Sequence, residues 1–399
     1  MDRSFHSAID FAAELIRIPS PSGGEEAVAR RVVTELERLG FDDAWTDDVG
    51  NAIGVIRGRG RAAPVMLSSH LDVVDAGDEA EWEHPPYSGV VADGYLHGRG
   101  AMDIKGPLAL QTYAAARFVD PRPPGDLVVA HTVFEERGGW GMAHFLTESG
   151  IRPGAVVIGE STGGDICIGH RGRAEVLVEV RGAAGHASEP ERARNALAGA
   201  GPVLDAVAGF ARDRLADEDP VLGRSTITAT DVFGEPASRN VIPDRMVVVL
   251  DWRVLPGRTP EDSLDALRNH LAAELQLPDG LEWDARYSTE VQRSWTGEES
   301  VRKLFGGGFL MEPGHPVVRS AVAAVASATG REPGVRPWRF ATDGRHTHGE
   351  YGIPTIGYAP GEERHAHTNV ERLELSAAEA VYDAYPALIR ALFDTLGSG

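Results

Sequence analysis

The sequence predicts an α/β protein: a mostly parallel sheet flanked by helices, interrupted by an inserted α+β block. Three observations lead there. Apolar runs at 65–67, 127–134 and 155–158 alternate with helix-patterned stretches at 107–118 and 141–148, the rhythm of a wound parallel sheet. From about Arg173 that rhythm gives way to longer alternating strands with two helices, and it resumes near residue 316. Titratable residues stand at the ends of apolar runs on both sides of the block: His70, Glu136 and Glu160 before it, His367 after it. If these serve one centre, residues 1–172 and 291–399 build one discontinuous domain and 173–290 is an insertion.

The elements follow in order. Phe5, Ile9, Ala12, Ala13 and Ile16 repeat at helical spacing, and Pro19 ends that helix. Ser22 is expected to cap a second helix carrying Val28, Val32, Leu36 and Leu39, closed by Gly40. Strands are expected at 41–46 and 51–56 around a turn at 47–50. The organising strand begins at Val65 and delivers His70 and Asp72. The loop 75–86 holds W-E-H-P-P, and its His84, beside two prolines, reads as a loop residue rather than a ligand. Asp103 follows a Gly98-Arg99-Gly100 turn and precedes helix 107–118, which 121–125 breaks. Strand 127–134 ends in Glu135-Glu136, and strand 155–158 in Glu160. In the block, strands are expected at 174–181, 225–232, 246–254 and 281–287, and helices at 195–210 and 260–275. Residues 295–313 are Gly-rich and read as irregular; helix 316–329, strand 355–358 and helix 374–396 complete the chain.

Composition bounds the function. A chain of 399 residues exceeds the size at which one core keeps growing, so two domains are expected. A formal charge of −21 argues against nucleic acid or anionic membrane as partner. The single cysteine, Cys167, permits no intrachain disulfide and reads as a small buried residue. No basic-then-apolar leader opens the chain and no window approaches ~18 uncharged apolar residues, so a soluble, cytoplasmic protein is expected.

Two histidines and several carboxylates at strand ends suit a borderline metal such as zinc. Ligands in wound sheets bind beyond the carboxyl ends of the strands, where these residues fall. His70 and Asp72, two apart on a strand, point the same way, and the carboxylate is expected to take the second imidazole N–H. Glu135 and Glu136 can divide the roles of base and ligand only if the backbone turns, which Gly138-Gly139 allows. Metal ligands with a free carboxylate beside them are what amide hydrolysis without a covalent intermediate needs. A rival reading takes G-E-S-T-G, 159–163, as a nucleophile elbow with Ser161. It requires a helix directly afterwards, whereas 166–168 reads as a strand. A metal-free binding protein on the same fold is a third reading, but such a chain would have lost a ligand or the base.

The set His70-x-Asp72, Asp103, Glu135-Glu136, Glu160 and His367-x-x-x-Glu371, with G-A-A-G-H-A-S ending at Ser188 and N-V-I-P-D from Asn240, resembles the dinuclear zinc acylases and carboxypeptidases. That family groups acetylornithine deacetylase, succinyl-diaminopimelate desuccinylase and carboxypeptidase G. The likeness covers nearly the whole chain. The stretches G-H-R-G-R (169–173) and P-E-R-A-R-N-A (190–196) are similar to a branch of selenium-metabolism-linked hydrolases. The resemblance implies two divalent metal ions, zinc or else cobalt or manganese. Asp103 would bridge them, His70 and Glu160 would complete one, and Glu136 and His367 the other. Asp72 would orient His70, and Glu135 would be the general base. His186 would come from the inserted domain, of the same or a partner subunit, to stabilise the oxyanion. Arg345, in A-T-D-G-R, would hold a substrate carboxylate, with Arg171 and Asn240 as further contacts. The inserted domain would serve as lid and homodimer interface, and the substrate would be a small N-acyl amino acid or dipeptide-like molecule. His365 stands two residues before His367, and Glu371, four residues on, favours His367 as the ligand. The family's usual Asn directly before that Glu is displaced here to Asn369.

Overall fold

Two amphipathic helices open the chain. α1 (Phe5–Ile16) starts where the Ser4 side chain accepts the Ser7 amide, and it buries Ile9, Phe11, Leu15 and Ile16. α2 (Glu26–Leu39) stops on Gly40, whose left-handed φ of 90° a side chain would oppose. Contrary to expectation, Ser22 does not cap α2. Its hydroxyl donates to the Asp72 carboxylate at 2.7 Å, because a carboxylate with no access to water recruits the nearest donor.

The computed structural model describes residues 2–214 and 218–397. The first long stretch continues through β1 (Asp43–Thr46), β2 (Ala52–Ile56), β3 (Val65–His70), α3 (Lys105–Ala116), β4 (Leu127–Thr132), α4 (Trp140–Glu148), β5 (Ala155–Ile158) and β6 (Ile166–Cys167). Every residue of β2, β3, β4, β5 and α3 is buried, as apolar strands covered on both faces require.

The chain divides into two compact units. One comprises Met1–Gly169, Gln292–Ser300 and Leu310–Gly399, the other His170–Val291 and Val301–Phe309. In the second unit, β7 (Gly172–Arg181), α5 (Ala200–Arg214), β8 (Thr226–Glu235), β9 (Arg245–Val254), α6 (Pro260–Glu274) and β10 (Glu282–Tyr287) follow in order. The strands form an antiparallel sheet in the order β8-β9-β7-β10. One sheet face, with Val176, Val178, Val248, Leu250 and Trp252, packs with Phe210 of α5 and Leu267 of α6 into a separate core. The boundary expected at 291 needs correction. Phe305–Gly306 pairs with β7, so 301–309 belongs with the second unit, and 295–313 is not wholly irregular. Glu299–Lys303 is a five-residue strand and Phe305–Gly306 one of two residues, and the glycines around them hide both.

Back in the first unit, α7 (Pro316–Thr329), β11 (Val335–Arg336), β12 (Thr355–Gly357) and α8 (Leu375–Gly397) complete the fold. The sheet order is β1-β2-β4-β3-β5-β12-β6-β11. The central run β4-β3-β5-β12 is parallel, and β1 and β2 are antiparallel additions at one edge. α1 and α8 pack on α3. The sheet's two middle members, β3 and β5, are therefore rigid supports for whatever their C-terminal ends carry. Among the described residues no helix is long and apolar enough to cross a membrane.

The second core has its own weak point. Trp252 is 1% exposed, meets Phe210 edge-on at 5.5 Å, and its indole N–H donates to the Ser225 hydroxyl. Trp252→Ala should destabilise this unit by about 3–5 kcal/mol, read as a lowered urea midpoint. A midpoint equal to wild type would show that the ring is not part of the second core.

Candidate metal centre

His70 is the last residue of β3. Its Nδ1 lies 2.8 Å from the Asp72 carbonyl oxygen and 3.4 Å from the Asp72 carboxylate. The carbonyl therefore takes the Nδ1–H, leaving the Nε2 lone pair free as a ligand atom in the neutral ring. This corrects the expected carboxylate–imidazole bond: β3 ends at His70, so strand periodicity does not reach Asp72. The Asp72 carboxylate instead accepts the Glu135 amide at 3.1 Å and the Glu136 amide at 3.2 Å, besides the Ser22 hydroxyl.

Those amides converge because the chain turns sharply after β4. Phe134 adopts a left-handed φ of 56°, and Gly138 and Gly139 follow at 109° and 69°. The Gly139 amide returns to the Phe134 carbonyl at 2.7 Å. The turn sends adjacent side chains to different places. Glu136 Oε1 lies 3.1 Å from His367 Nε2. Glu135 is grouped with His70 and Glu160.

Asp103 stands between the two histidines, with Oδ1 3.3 Å from His70 Nε2 and Oδ2 3.2 Å from His367 Nε2. Glu160, just past β5, reaches His70 Nε2 at 3.3 Å. The Asp103 backbone is pinned from far along the chain. Glu371 accepts the Met102 and Asp103 amides at 3.1 Å each and pairs with buried Arg99 at 2.6 Å. Thus Glu371, singled out by its spacing from His367, acts on Asp103. His365 does not join the group: it lines a separate cavity of about 240 Å³ with His84 and His97.

Arg345 reaches Glu135 from the far side of the chain. It is 7% exposed, and its guanidinium donates to the Glu135 carbonyl at 3.3 Å and lies 3.6 Å from the Glu135 carboxylate. Only Nη2 of the guanidinium makes these contacts, and the buried Nε has no hydrogen-bond partner among the described residues. Neighbouring Asp343, overlooked although its motif was noticed, accepts the Thr132 hydroxyl at 2.8 Å behind the same turn.

The donor set fits divalent cations. Ligand atoms of His70, Asp103 and Glu136, and of His70, Glu135 and Glu160, lie within 4.8 Å of one another. Donors about 2.0–2.1 Å from a tetrahedral zinc sit roughly 3.3 Å apart, close to the 3.1–3.3 Å separations here. So many buried carboxylates repel unless protons or cations intervene. Burial pushes Glu160 up to about 7, and Asp103 adds to the rise. Burial likewise drives Glu135 well above the ordinary carboxylate range, with Arg345 pulling the other way. Burial opposes charge on His70, but the surrounding carboxylates of Asp103, Asp72 and Glu160 outweigh it and hold the imidazole well above its usual range. Asp103 and Glu136 lift His367 to about 10.

Ser161 is buried, its hydroxyl has no hydrogen-bond partner among the described residues, and left-handed Gly163 and Gly164 lead into β6 rather than a helix. A nucleophile elbow is therefore not formed. In the second unit, His186 is exposed on a two-residue strand, Gly185–His186, paired with Val241–Ile242, which brings Asn240 close. The Ser188 amide donates to His186 Nδ1 at 3.2 Å, which leaves the proton on Nε2. Arg171 donates to the Arg224 carbonyl at 2.7 Å.

The model of Peptidase family M20/M25/M40 matches residues 66–391. YgeY of Escherichia coli strain K12, an uncharacterized protein, is 33% identical over 382 residues, covering 94% of this chain and 93% of that one. The succinyl-diaminopimelate desuccinylase of Paracoccus denitrificans is 32% identical, over 80% of this chain and 82% of its own. The crystal structure of Bacillus subtilis YXEP, a dinuclear metal-binding peptidase, superposes with a TM-score of 0.69 at 14% identity. That superposition covers 99% of this chain and 100% of YXEP.

The protons in the site give a pH test. His367 has an ordinary value of 6.5 and sits at about 10, so the folded metal-free protein holds its proton more tightly than the unfolded chain. That stabilisation is fully present below pH 6.5 and is lost as the pH rises through about 10. Raised Glu160 acts in the same direction between 4.5 and about 7. The stability that His367 adds to metal-free protein, read in calorimetry as the difference from His367→Ala, should therefore decline from pH 6.5 to about 10; the difference removes Lys105, which burial pushes down to about 7 and which acts in the opposite sense. Added divalent cation should release protons. A difference that grows over that window would show that His367 does not hold its proton as described.

Proposed function

Because the chain belongs to peptidase family M20/M25/M40, we propose that it hydrolyses the amide (C–N) bond of a small N-acyl amino acid or dipeptide-like substrate. One observation carries the reading: Glu135, within reach of His70 and Glu160, is one carboxylate more than the donors His70, Asp103, Glu136, Glu160 and His367 need to hold two ions. In this reading His70, Asp103 and Glu160, together with Glu136 and His367, would hold two divalent ions, most simply zinc. Cobalt or manganese satisfies the same donors. Bound there, the ions supply Lewis acidity that polarises the substrate carbonyl and makes water a better nucleophile.

The chain's own residues do the rest. Glu135 takes a proton from the attacking water and passes it to the departing amine nitrogen, and its raised pKa suits both halves of that transfer. Arg345 keeps the Glu135 carboxylate from swinging away. The Asp72 carboxylate fixes the backbone beneath both glutamates, while its carbonyl sets the His70 tautomer. His186 offers its Nε2–H to the oxygen that gains charge during attack. Arg345, whose buried Nε has no partner among the described residues, would receive a substrate carboxylate, with Arg171 and Asn240 of the second unit as further contacts. That unit also provides the homodimer contact in this reading. β8 is an edge strand whose Val232 and Phe233 are exposed, ready to pair with a second copy.

Purified protein should bind up to two divalent ions per chain and release free amine from N-acyl amino acids or dipeptides. A chelator should stop the reaction and metal restore it. Glu135→Ala should keep its metal and lose roughly three or more orders of magnitude in turnover, whereas Glu136→Ala should lose metal. Full turnover without metal, or the reverse pattern in the two variants, would refute these assignments.

His186→Ala should fold normally, retain metal and lose about 10²–10³ in kcat with little change in KM, the signature of a donor used mainly in the transition state. A near-normal kcat would remove His186 from the reaction.

A further inference from the structure

Three consecutive peptide N–H groups, those of Phe134, Glu135 and Glu136, point into the protein where the chain leaves β4. Such a row, created by the left-handed Phe134, is an anion-binding concavity. Here the protein fills it with its own carboxylates. Asp72 takes the second and third amides. The first, that of Phe134, is accepted by Glu25 Oε1 at 3.3 Å.

Glu25 is an unusual acceptor. It occupies the N-cap of α2, where a side chain ordinarily accepts a helix amide, yet it makes no cap bond. It is completely buried, and its Oε2 has no hydrogen-bond partner among the described residues. Leaving a carboxyl oxygen dry and unmet is costly unless the group serves elsewhere. Burial and the charge of Asp72 push its pKa up to about 8, so near neutrality it is a neutral acid. The loop that carries it grips the same region at two further points. The Ser20 hydroxyl donates to the Leu71 carbonyl at 2.7 Å, and the Ser22 hydroxyl to the Asp72 carboxylate. Gly23, at a φ of 87°, passes so close to the Phe134 ring that a Cβ there would stand 3.3 Å from it.

We infer that Glu25 is a positioning residue: through the Phe134 amide, and with Ser22 acting through Asp72, the loop 20–25 fixes the backbone from which Glu135 and Glu136 project. The inference rests on the amide-hydrolase reading for its kinetic consequence but not for its structural one. A displacement of about 1 Å in a reacting group costs on the order of 10² in rate. Without an acceptor, the Phe134 amide has reason to leave its left-handed conformation and to carry Glu135 with it.

The test compares full-length, zinc-loaded Glu25→Ala and Glu25→Gln with wild type. Hydrogen exchange at residues 134–136 is measured on both zinc-loaded and metal-free protein. Glu25→Ala should exchange those amides at least about tenfold faster while α1 and α3 keep their protection. Its kcat should fall by about 10–100-fold with KM changed less than about threefold. Glu25→Gln keeps a neutral acceptor oxygen in place and should recover most of both losses. Unchanged exchange at 134–136 in Glu25→Ala would overturn the inference, as would a Glu25→Gln impaired as badly as Glu25→Ala. Should Glu25→Ala fail to fold, Ser22→Ala replaces it: faster exchange at Glu135 and Glu136 supports the loop's role, and wild-type exchange overturns it. A wild type inert toward every N-acyl amino acid and dipeptide would sink the amide reading alone, since the exchange comparison still decides the positioning role.

Discussion

A carboxylate shut away from water must be met by donors, and how Asp72 is met determines the rest of the centre. Its oxygens collect a hydroxyl from the loop after α1 and two amides from the turn after β4. Its own carbonyl holds the His70 ring. One residue thus ties three separate chain segments into a single rigid piece. Charge-assisted bonds of this kind are individually stronger than neutral ones and short in reach, so they tolerate little displacement. The parallel sheet supplies the stiffness beneath: β3, β4 and β5 are buried along their whole length and end side by side.

Much of this was legible in the sequence, for a physical reason. Buried parallel strands are short apolar runs, and their C-terminal ends are where side chains converge, so His70, Glu136 and Glu160 announced themselves. The left-handed glycines after Glu136 announced the turn. What escaped were partners chosen across space. Ser22 looked like a helix cap because its local pattern satisfies that rule, but the Asp72 carboxylate competes for its hydroxyl and wins. Arg345 was read from its motif alone, and its contact with Glu135, 210 residues earlier, has no local signal. Residues 301–309 looked irregular because their glycines mask a five-residue strand, Glu299–Lys303, that pairs with Thr289–Arg293, and a two-residue strand, Phe305–Gly306, that pairs with β7.

The two units solve burial differently. The first wraps a sheet on both faces and leaves its strand ends for chemistry. The second packs two helices on one face of an antiparallel sheet. On the other face Glu179, 1% exposed, is surrounded by Arg181, Arg245 and Arg286. Those arginines hold Glu179 down at about 2, although burial alone would raise it. Charge neutralisation thus replaces apolar cover where no helix lies.

The hold of Glu371 on the Asp103 amide spans 268 residues, and that separation has a meaning for biosynthesis. At about 5–20 residues per second, the acceptor emerges roughly 13–54 s after the segment it secures. For that interval Arg99 lacks its carboxylate and the Met102 and Asp103 amides lack their acceptor. A nascent chain can pair β3, β4 and β5 early, yet the Asp103 backbone has no acceptor until little more than α8 is left to be made.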